Sequence, residues 1–426
     1  MQDRPITNSC TMILNNVNNQ QGAISFISWN VKGLNNLVKR SKIFSHLKSL
    51  KPDVILLQET HLNINSQKRL SCKWIGQMYH SRFNYKARGT AILIRKGIPF
   101  EHSEVISDAN GRYVVVVGKL FNTPLILANI YGPNWDNAQF FLNFFSTLPD
   151  LNSYKLILGG DFNCILNTQL DRSGVRSNNA LSSAAVAINS LLRSYGLSDP
   201  WRTKNPTTKQ FSFFSSVHHS YSRIDYFIVD NQLIPLISSS KYHSIVLSDH
   251  SPVQMDLIFP ANVAPQRTWR LDSQLLLCKH FKSFLKNQID FSLEMNDTQV
   301  VSRGVLWESM KAYIRGQIIS YVAHRNKERS KQLKELADKI ADIDRRYALS
   351  PTPDLFKEKL LLQTEFNTLM TWKAEKNIFK SRQVYYEHGD KAGRLLALQL
   401  KQQSAEQMIP GIDTGVDSIS RSPPSH

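Results

Sequence analysis

Residues 155–164 constrain the fold more than any other stretch, because an apolar run leads there directly into two glycines, a carboxylate and a carboxamide. Residues 156–158 show no alternation of polar and apolar side chains, which indicates a strand buried on both faces. The two glycines allow another part of the backbone to approach closely. Asp161 and Asn163 follow at the strand's end, two positions apart and on one side of it. Such an aspartate is either a turn or cap residue or a catalytic group, and both interpretations stay open on this stretch alone.

Polar side chains also follow other predicted strands. The patterns predict strands at 23–30, 52–59, 90–95, 112–119 and 124–130, and helices at about 37–50, 137–148 and 179–195. Two aromatic-rich segments, 211–215 and 221–229, predict a hairpin, and a last strand signal lies around 246–253. The polar side chains at the strand ends are Asn30, Glu59, Tyr131, Asn134, Asp161, Asn163, Asp225, Asp249 and His250. Hard oxygen ligands with a single histidine favour Mg²⁺ or Mn²⁺ and a phosphoryl substrate.

The net charge of +18 restricts the class of partner. Residues 1–260 contain 26 Lys and Arg against 15 Asp and Glu, and residues 261–426 contain 26 against 19. Both parts are basic, which favours a polyanion such as nucleic acid over a small acidic substrate. The alternative is a basic surface that only keeps the protein soluble.

Cysteine usage and hydropathy indicate the compartment. The four cysteines, Cys10, Cys72, Cys164 and Cys278, lie far apart and suggest neither a disulfide framework nor a cysteine-based zinc site. No apolar run approaches the roughly eighteen residues needed to cross a bilayer, and the N-terminus has no signal-peptide apolar region. We therefore expect a soluble, intracellular protein with no membrane contact. We also expect a monomer, although no sequence feature determines this.

Six short segments resemble the motifs of a known family. They are residues 28–34, 57–61, 130–134, 160–163, 224–226 and 247–252. In this order they resemble the motifs of the exonuclease-endonuclease-phosphatase superfamily. More narrowly, residues 23–259 resemble the apurinic-type endonuclease of LINE-class, non-LTR retrotransposons. Residues 307–316 and 386–396 resemble the linker that precedes the polymerase of those elements, whereas the Asp-Asp motif of their reverse transcriptase is absent from this sequence. We therefore expect this chain alone not to complete retrotransposition.

The resemblance implies an α/β fold, a four-layer α/β sandwich in which two packed mixed sheets are flanked by helices. Periodicity alone predicts only a mixture of helices and strands. A mostly helical C-terminal arm follows. The predicted organisation is a disordered leader (1–22), the endonuclease/exonuclease/phosphatase domain (23–259), a linker (260–272), a helical region with an antiparallel hairpin (273–400) and a disordered tail (401–426).

The resemblance also implies a role for each residue that matches a family motif. Glu59 resembles the principal metal ligand, assisted by Asn30 and Asp249. Asp161 would align or deprotonate the attacking water. Asp225 would hold one tautomer of His250, which would either neutralise the scissile phosphate or act as the base.

The remaining candidates lie around the phosphate. Asn163 would hold it through a carboxamide that adds no negative charge, or would close an Asx turn instead. Tyr131 and Asn134 would line the same site. Ser212 and Ser248 are weaker candidates for contacts with backbone phosphates. We expect three further histidines to be surface or DNA-facing residues and not metal ligands: His61, His218 and His219.

Lys32 departs from the pattern of apurinic repair enzymes, which have an acidic residue at this position. A cation there is poorly suited to a second carboxylate-bound metal and better suited to a DNA phosphate. This residue argues against a two-metal mechanism and predicts nicking of ordinary duplex DNA with weak preference for abasic sites.

The resemblance to the retrotransposon branch implies that target choice depends on DNA shape and on a surface hairpin that enters the minor groove. The hairpin at 211–225 is the candidate for entering the minor groove, with Arg172 and Arg176 in a nearby loop. A set of five basic residues is predicted to contact phosphates: Arg82, Lys86, Arg88, Lys204 and Lys209. Nicking should therefore weaken steeply as salt rises.

The helical region carries a heptad stripe. Leu333, Leu336, Ile340, Ile343 and Tyr347 recur at intervals of three and four, and residues 350–353 break that helix and cap the next. The exposed face is basic and is predicted to be either solvated or a binding surface for RNA or DNA. Our hypothesis is that this arm adds nucleic-acid affinity and no catalysis, so that a chain ending near Phe259 would still nick.

Together these features predict a nuclear, Mg²⁺-dependent endonuclease that nicks duplex DNA and leaves 3′-OH ends, as in target-primed reverse transcription. A cytoplasmic ribonucleoprotein is a further expected location. Two alternatives stay open. One is a metal-dependent phosphatase or phosphodiesterase that acts on lipids or inositol phosphates, and the other is an inactive nucleic-acid-binding module.

Overall fold

The computed structural model describes residues 22–62, 70–84, 86–173, 180–259, 271, 273–296 and 302–388. The predicted leader, linker and tail lie almost wholly outside these residues, and Arg176 lies outside them as well. The chain divides into two units, Met1–Thr371 and Trp372–His426. No helix within the described ranges is both long enough and apolar enough to span a membrane.

The first unit contains the strands and most of the helices. The strands are β1 (Gly22–Asn30), β2 (Val54–Gln58), β3 (Ile75–Ser81), β4 (Thr90–Arg95), β5 (Phe100–Ser107), β6 (Tyr113–Leu120), β7 (Thr123–Tyr131), β8 (Lys155–Asp161), β9 (Leu197–Ser198), β10 (Phe213–Ser215), β11 (Ser220–Ser222), β12 (Asp225–Asp230), β13 (Ile237–Tyr242) and β14 (Val253–Phe259). The helices are α1 (Leu37–Leu50), α2 (Ala138–Ser146), α3 (Ser183–Ser194), α4 (Pro200–Lys204), α5 (Lys279–Asn296), α6 (Arg303–Leu349) and α7 (Pro353–His388), which continues into the second unit.

The strands form two six-stranded mixed sheets that pack face to face. One sheet has the order β13-β14-β1-β2-β4-β3 and the other β5-β6-β7-β8-β12-β9. Apolar residues of both sheets, such as Phe26 and Leu127, share one buried cluster between them. Helix α1 covers the outer face of the first sheet, and α2 and α3 cover the outer face of the second. This is the predicted four-layer α/β sandwich, followed by the predicted helical arm.

Strand direction explains why polar strand ends meet. Strands β1 and β2 are parallel, and so are β7 and β8, so each pair ends at the same edge of its sheet. Strand β12 runs antiparallel to β8, with Asp225 directly opposite Asp161. Strand β14 runs antiparallel to β1, with Val253 opposite Ser28, so the segment that precedes β14 arrives at this edge as well.

Gly159 lets the two sheets approach each other closely, as the sequence predicted. A Cβ atom there would lie 2.7 Å from Cδ1 of Leu56 in the other sheet and 2.8 Å from a ring carbon of Phe227. Contacts this short do not occur between packed atoms, so any larger residue would push the sheets apart.

The aromatic segment after residue 211 differs from the prediction. Strands β10 and β11 form the expected hairpin, but residues 221–229 are not one strand. The chain leaves the hairpin at Arg223, and β12 then joins the second sheet. The cause is a buried ion pair, because Arg223 has 1% exposure and its Nε lies 2.7 Å from Oδ1 of Asp171. Strands β3, β5, β9 and β13 were not predicted.

The helical arm turns where the sequence predicted. Helix α6 ends at Leu349, Ser350 is its C-cap residue, and Pro353 opens α7. Four residues of the predicted stripe are buried on α6: Leu336, Ile340, Ile343 and Tyr347. Leu336 packs with Met370 and Tyr347 packs near Phe356, which gives the two helices an antiparallel arrangement.

Candidate active site

The edge where the strands end carries a buried line of three ionisable side chains. His250 Nδ1 lies 2.9 Å from Oδ2 of Asp225, and His250 Nε2 lies 3.8 Å from Oδ2 of Asp161. All three residues are at most 5% exposed. The register of β8 and β12 sets the two carboxylates side by side, and the segment before β14 brings the imidazole to them. Asp225 therefore occupies the place from which it can fix the tautomer of His250.

Asn30 joins this line to Glu59. Its Nδ2 donates to Oε1 of Glu59 at 3.0 Å and to Oδ2 of Asp161 at 2.9 Å. Its Oδ1 accepts from the backbone N–H of Lys32 at 3.0 Å. One buried amide therefore fixes the spacing between two carboxylates that lie in different sheets.

The backbone at several of these positions is held in the left-handed region. Glu59, Asn163 and Lys32 have φ values of 51°, 52° and 48°. A non-glycine residue in this region costs free energy, on the order of 1 kcal/mol or more, and such residues cluster at functional sites. At Glu59 this conformation turns the chain directly after β2, beside the end of β1.

A second group of side chains surrounds the loop after β7. The hydroxyl of Tyr131 donates to Oδ1 of Asn134 at 3.1 Å, and Nδ2 of Asn163 donates to the carbonyl of Gly132 at 3.0 Å. Oδ1 of Asp161 accepts from the N–H of Asn163 at 2.9 Å. The structure thus brings together the three residues predicted to line the phosphate. The Asx turn in this loop is formed by the side chain of Asp161, whereas the side chain of Asn163 reaches the loop after β7.

Asp249 and Lys32 pair with each other at the mouth of the site. The Nζ atom of Lys32 lies 2.6 Å from Oδ2 of Asp249, and the two side chains are 60% and 28% exposed. A cation bound through Asp249 would have to compete with this ammonium group. The pairing therefore favours Glu59 over Asp249 as a metal ligand.

Ser212 does not suit the predicted contact with a DNA phosphate. It has no exposed surface, and its hydroxyl oxygen accepts from the N–H groups of Ile224 and Asp225 at 3.0 and 3.1 Å. It therefore holds the start of β12. Ser248 is half-buried, and its hydroxyl donates to the carbonyl of Asn30 at 2.8 Å. Arg172 is half-buried and forms a β-bridge with Ser222 beside the hairpin.

Four residues near the site were not predicted. His61, predicted to face solvent or DNA, has its Nε2 3.3 Å from Oε2 of Glu59. Arg112 is 7% exposed and donates to the carbonyl of Gly132 at 2.9 Å. Gln58 and Asn129 are fully buried and join the two sheets beneath the site, 2.7 Å apart. The only signal in the sequence was a polar residue within or beside an apolar strand.

Burial and neighbouring charges shift the pKa values of the three acidic and basic groups at the centre. Burial lowers the pKa of His250, but attraction to Asp225 and Asp161 outweighs it and raises the pKa to about 10. Burial, then repulsion from Asp225, raises the pKa of Asp161 to about 7. Burial raises the pKa of Glu59, but hydrogen bonds, chiefly from His61 and Asn30, outweigh it and lower the pKa to about 2.

The charges of these side chains distinguish two groups that could hold a metal cation. Asp161, Asp225 and His250 place ligand atoms within 4.8 Å of one another. A metal bound there through His250 would have to displace its proton, because a protonated imidazole has no lone pair to offer. Glu59 is ionised at neutral pH and its side chain is 20% exposed, beside the amide of Asn30. Hard oxygen donors of this kind fit Mg²⁺ or Mn²⁺.

Comparison with known proteins matches the part of the chain that carries this site. A model of the Endonuclease/Exonuclease/phosphatase family matches residues 27–250, a span that contains every predicted site residue. A DNA-(apurinic or apyrimidinic site) endonuclease of Dictyostelium discoideum is 25% identical over 265 residues, which cover 55% of this chain and 70% of that protein. An exodeoxyribonuclease of Bacillus subtilis (strain 168) is 25% identical over 280 residues, which cover 54% of this chain and 98% of that protein.

Two solved structures are also similar. An AP endonuclease from Leishmania major has a TM-score of 0.47 and 20% identity, covering 56% of this chain and 88% of its own. The Xenopus laevis APE2 catalytic domain has a TM-score of 0.47 and 20% identity, covering 57% of this chain and 95% of its own.

Proposed function

Because this chain belongs to the Endonuclease/Exonuclease/phosphatase family, we propose that it is a metal-dependent DNA endonuclease that hydrolyses phosphodiester bonds. The observation that carries the proposal is the line from Asp225 through His250 to Asp161, joined by Asn30 to Glu59. It combines an oriented cation, a carboxylate with a raised pKa and an ionised carboxylate suited to a metal. The names of the two curated relatives, both enzymes that act on DNA, support DNA as the substrate.

The residues divide the chemistry between them. His250, held protonated by its two carboxylates, would neutralise a non-bridging oxygen of the scissile phosphate. Asp161, with its pKa raised to about 7, would accept the proton of the attacking water near neutral pH. Tyr131, Asn134 and Asn163 would orient the phosphate. A metal ion held by Glu59 would offset the charge that develops on the leaving oxygen.

The finer features of the proposal follow the resemblance to LINE-class elements. We propose Mg²⁺ as the metal, nicks with 3′-OH ends in undamaged duplex DNA, and a monomer that works in the nucleus. Lys32 at the mouth of the site, with 60% of its side chain exposed, supports contact with a DNA phosphate. We also propose that the basic arm binds RNA. The enzyme should cleave abasic duplex DNA at a rate similar to that for undamaged A/T-rich duplex DNA.

A plasmid-nicking assay tests the proposal. The purified chain is incubated with supercoiled plasmid in Mg²⁺, in EDTA and as the variant Asp161→Ala. The matched control is Glu101→Ala, which removes an exposed carboxylate on the edge strand β5. We expect relaxed circles only from the wild type and the control in Mg²⁺. Plasmid binding without relaxation would indicate a binding module, and hydrolysis of lipid phosphodiesters alone would indicate a phosphatase-type enzyme.

A further inference from the structure

The helical arm packs directly on the hairpin β10–β11 and on the segment that carries His250. We propose that Lys359 of the arm is a positioning residue of the nuclease, which holds hairpin β10–β11 against the segment 244–251. This inference rests on the proposed function and extends it, because it assigns to the arm a role in the geometry of the active site and not only in DNA affinity.

Lys359 is the centre of the contact. It is 2% exposed, and its Nζ lies 2.8 Å from Oδ1 of Asp344 and 2.9 Å from the hydroxyl oxygen of Tyr221 in β11. The same ammonium group lies 3.7 Å from the ring centre of Phe214 in β10. The hydroxyl of Tyr221 donates to Asp344 at 2.6 Å. A buried charge tolerates few alternative arrangements, so this network favours one docking position of the arm.

Apolar contacts surround this network. Phe214, Tyr221 and Ile245 of the nuclease share one buried cluster with Tyr347 of α6, and Phe356 of α7 packs against it. Val246 lies in a second cluster with four residues of the arm: Leu336, Ile340, Phe366 and Met370. The arm therefore buries the hairpin and the segment before Asp249 in continuous contacts.

Hydrogen bonds fix that segment further. Nε2 of Gln363 donates to the carbonyl of Ile245 at 3.1 Å. The hydroxyl of Ser244 donates to the carbonyl of Ala337 at 2.8 Å. Both bonds join arm residues to the segment that leads into Asp249 and His250, so a shift of the arm would move this segment with it.

Hairpin β10–β11 lies between the arm and the imidazole of His250 and contacts both. Alternate side chains of a strand point to opposite faces, so Phe214 faces the arm while Phe213 faces the site. The ring centre of Phe213 lies 4.7 Å from that of His250. The N–H of Phe214 donates to the carbonyl of Asp249 at 3.0 Å, and the N–H of Ser251 donates to the carbonyl of Ser212 at 2.7 Å. The hairpin and its backbone bonds therefore connect the arm to His250, in addition to the contacts through residues 244–246.

The hairpin tip remains available to DNA. Val217 is 80% exposed, whereas Tyr221, four residues later, is 1% exposed. The arm therefore contacts one side of the turn through His219, whose ring centre lies 5.5 Å from that of Phe356, and leaves Val217 exposed. A displaced arm would disturb both the direction of the tip and the position of His250, so it would change the choice of nick site as well as turnover.

The test uses the full chain and compares Lys359→Met with Lys357→Met, which removes an exposed lysine from the same helix. Hydrogen exchange is measured over segments 211–224 and 244–251, with β8 as the internal reference. In Lys359→Met we expect exchange of both segments to rise about tenfold, and kcat for plasmid nicking to fall about tenfold with the KM for DNA within about twofold. Mapped nick positions should also shift. Lys357→Met should match the wild type.

Equal effects of the two lysine variants, with a raised KM and unchanged exchange, would show that Lys359 acts only as a basic charge. Unchanged exchange and nicking in a folded Lys359→Met protein would also overturn the inference. If Lys359→Met fails to fold, the double variant Lys359→Met with Asp344→Leu replaces the buried charges by apolar groups and should restore protection. If the wild type does not nick, the proposed function fails, while the exchange measurement still decides the positioning role.

Discussion

Asn129 is the clearest place to test how the two sheets are held beneath the active site. It has no exposed surface and makes three hydrogen bonds across the interface between the sheets. Its Nδ2 donates to the carbonyls of Leu57 and Ala91 at 2.8 and 2.9 Å, and its Oδ1 accepts from Nε2 of Gln58 at 2.7 Å. Because Gln58 precedes Glu59, the same contacts support the position of the proposed metal ligand.

The substitution Asn129→Leu keeps the branched shape and the number of side-chain heavy atoms, and it removes all three bonds. At about 1 kcal/mol for each bond, and more for any buried group left without a partner, the free energy of unfolding should fall by about 3 to 5 kcal/mol. That is a large part of the ~5–15 kcal/mol typical of a folded domain. For a domain of this size the melting temperature should fall by about 6 to 20 °C.

Denaturant unfolding and thermal melting of the wild type, Asn129→Leu and Asn129→Ala measure the effect. If hydrogen bonds dominate, both variants lose similar stability, and the leucine variant nicks more slowly because Glu59 is displaced. A leucine variant within about 1 kcal/mol of the wild type would refute the reasoning, since it would show that packing alone joins the sheets.

Four further predictions concern individual groups. Glu59→Gln should raise the Mg²⁺ concentration for half-maximal nicking about tenfold or more in a metal titration. Without metal, the pKa of Glu59 is about 2 in the folded protein against an ordinary value of 4.5, so its contribution of about 3 kcal/mol is present above pH 4.5 and lost as the pH falls through 2. Acid unfolding of the wild type and Glu59→Gln measures this difference. Nicking should rise with pH through about 7 as Asp161 loses its proton, and a flat pH profile across this range would contradict the assignment. Ser212→Ala should cost about 1–3 kcal/mol of unfolding free energy and leave the salt dependence of DNA binding unchanged, whereas a shallower salt dependence would indicate a phosphate contact.

The sequence predicted the strands that carry the site because each combines an apolar run with a polar end. Asp161, Asn30 and Glu59 lie at such ends, and their meeting at one edge follows from parallel strand pairs. The edge strands were not predicted because they lack this combination of an apolar run and a polar end. Strand β5 has one buried residue in eight, Phe100, so it lacks the pattern that identifies a buried strand.

Long-range pairing explains the remaining differences. Ser212 was predicted as a surface contact because a serine among aromatics gives no sign that its hydroxyl will hold two N–H groups of β12. Lys359 was one of many lysines in a charged helix. Its burial depends on Asp344 and on Tyr221, and Tyr221 lies 138 positions earlier in the chain. Neither partnership has a local signal.

The pairing of Lys32 with Asp249 joins two residues to which the sequence gave separate roles. As long as the pair is intact, the ammonium group occupies the side of Asp249 that a metal would need, and DNA phosphate would compete with the carboxylate for Lys32. A single metal at Glu59 therefore stays the prediction that follows from Lys32.

The central claim is that this site cuts DNA by metal-dependent hydrolysis through His250. The most direct measurement follows relaxation of supercoiled plasmid by the wild type and by His250→Asn, in Mg²⁺ and in EDTA, and then tests whether a DNA polymerase extends the nicked product. We predict relaxed, extendable circles from the wild type in Mg²⁺ alone, and a loss of rate of at least about a hundredfold in the variant. Equal relaxation by wild type and variant, or relaxation that persists in EDTA, would contradict the account.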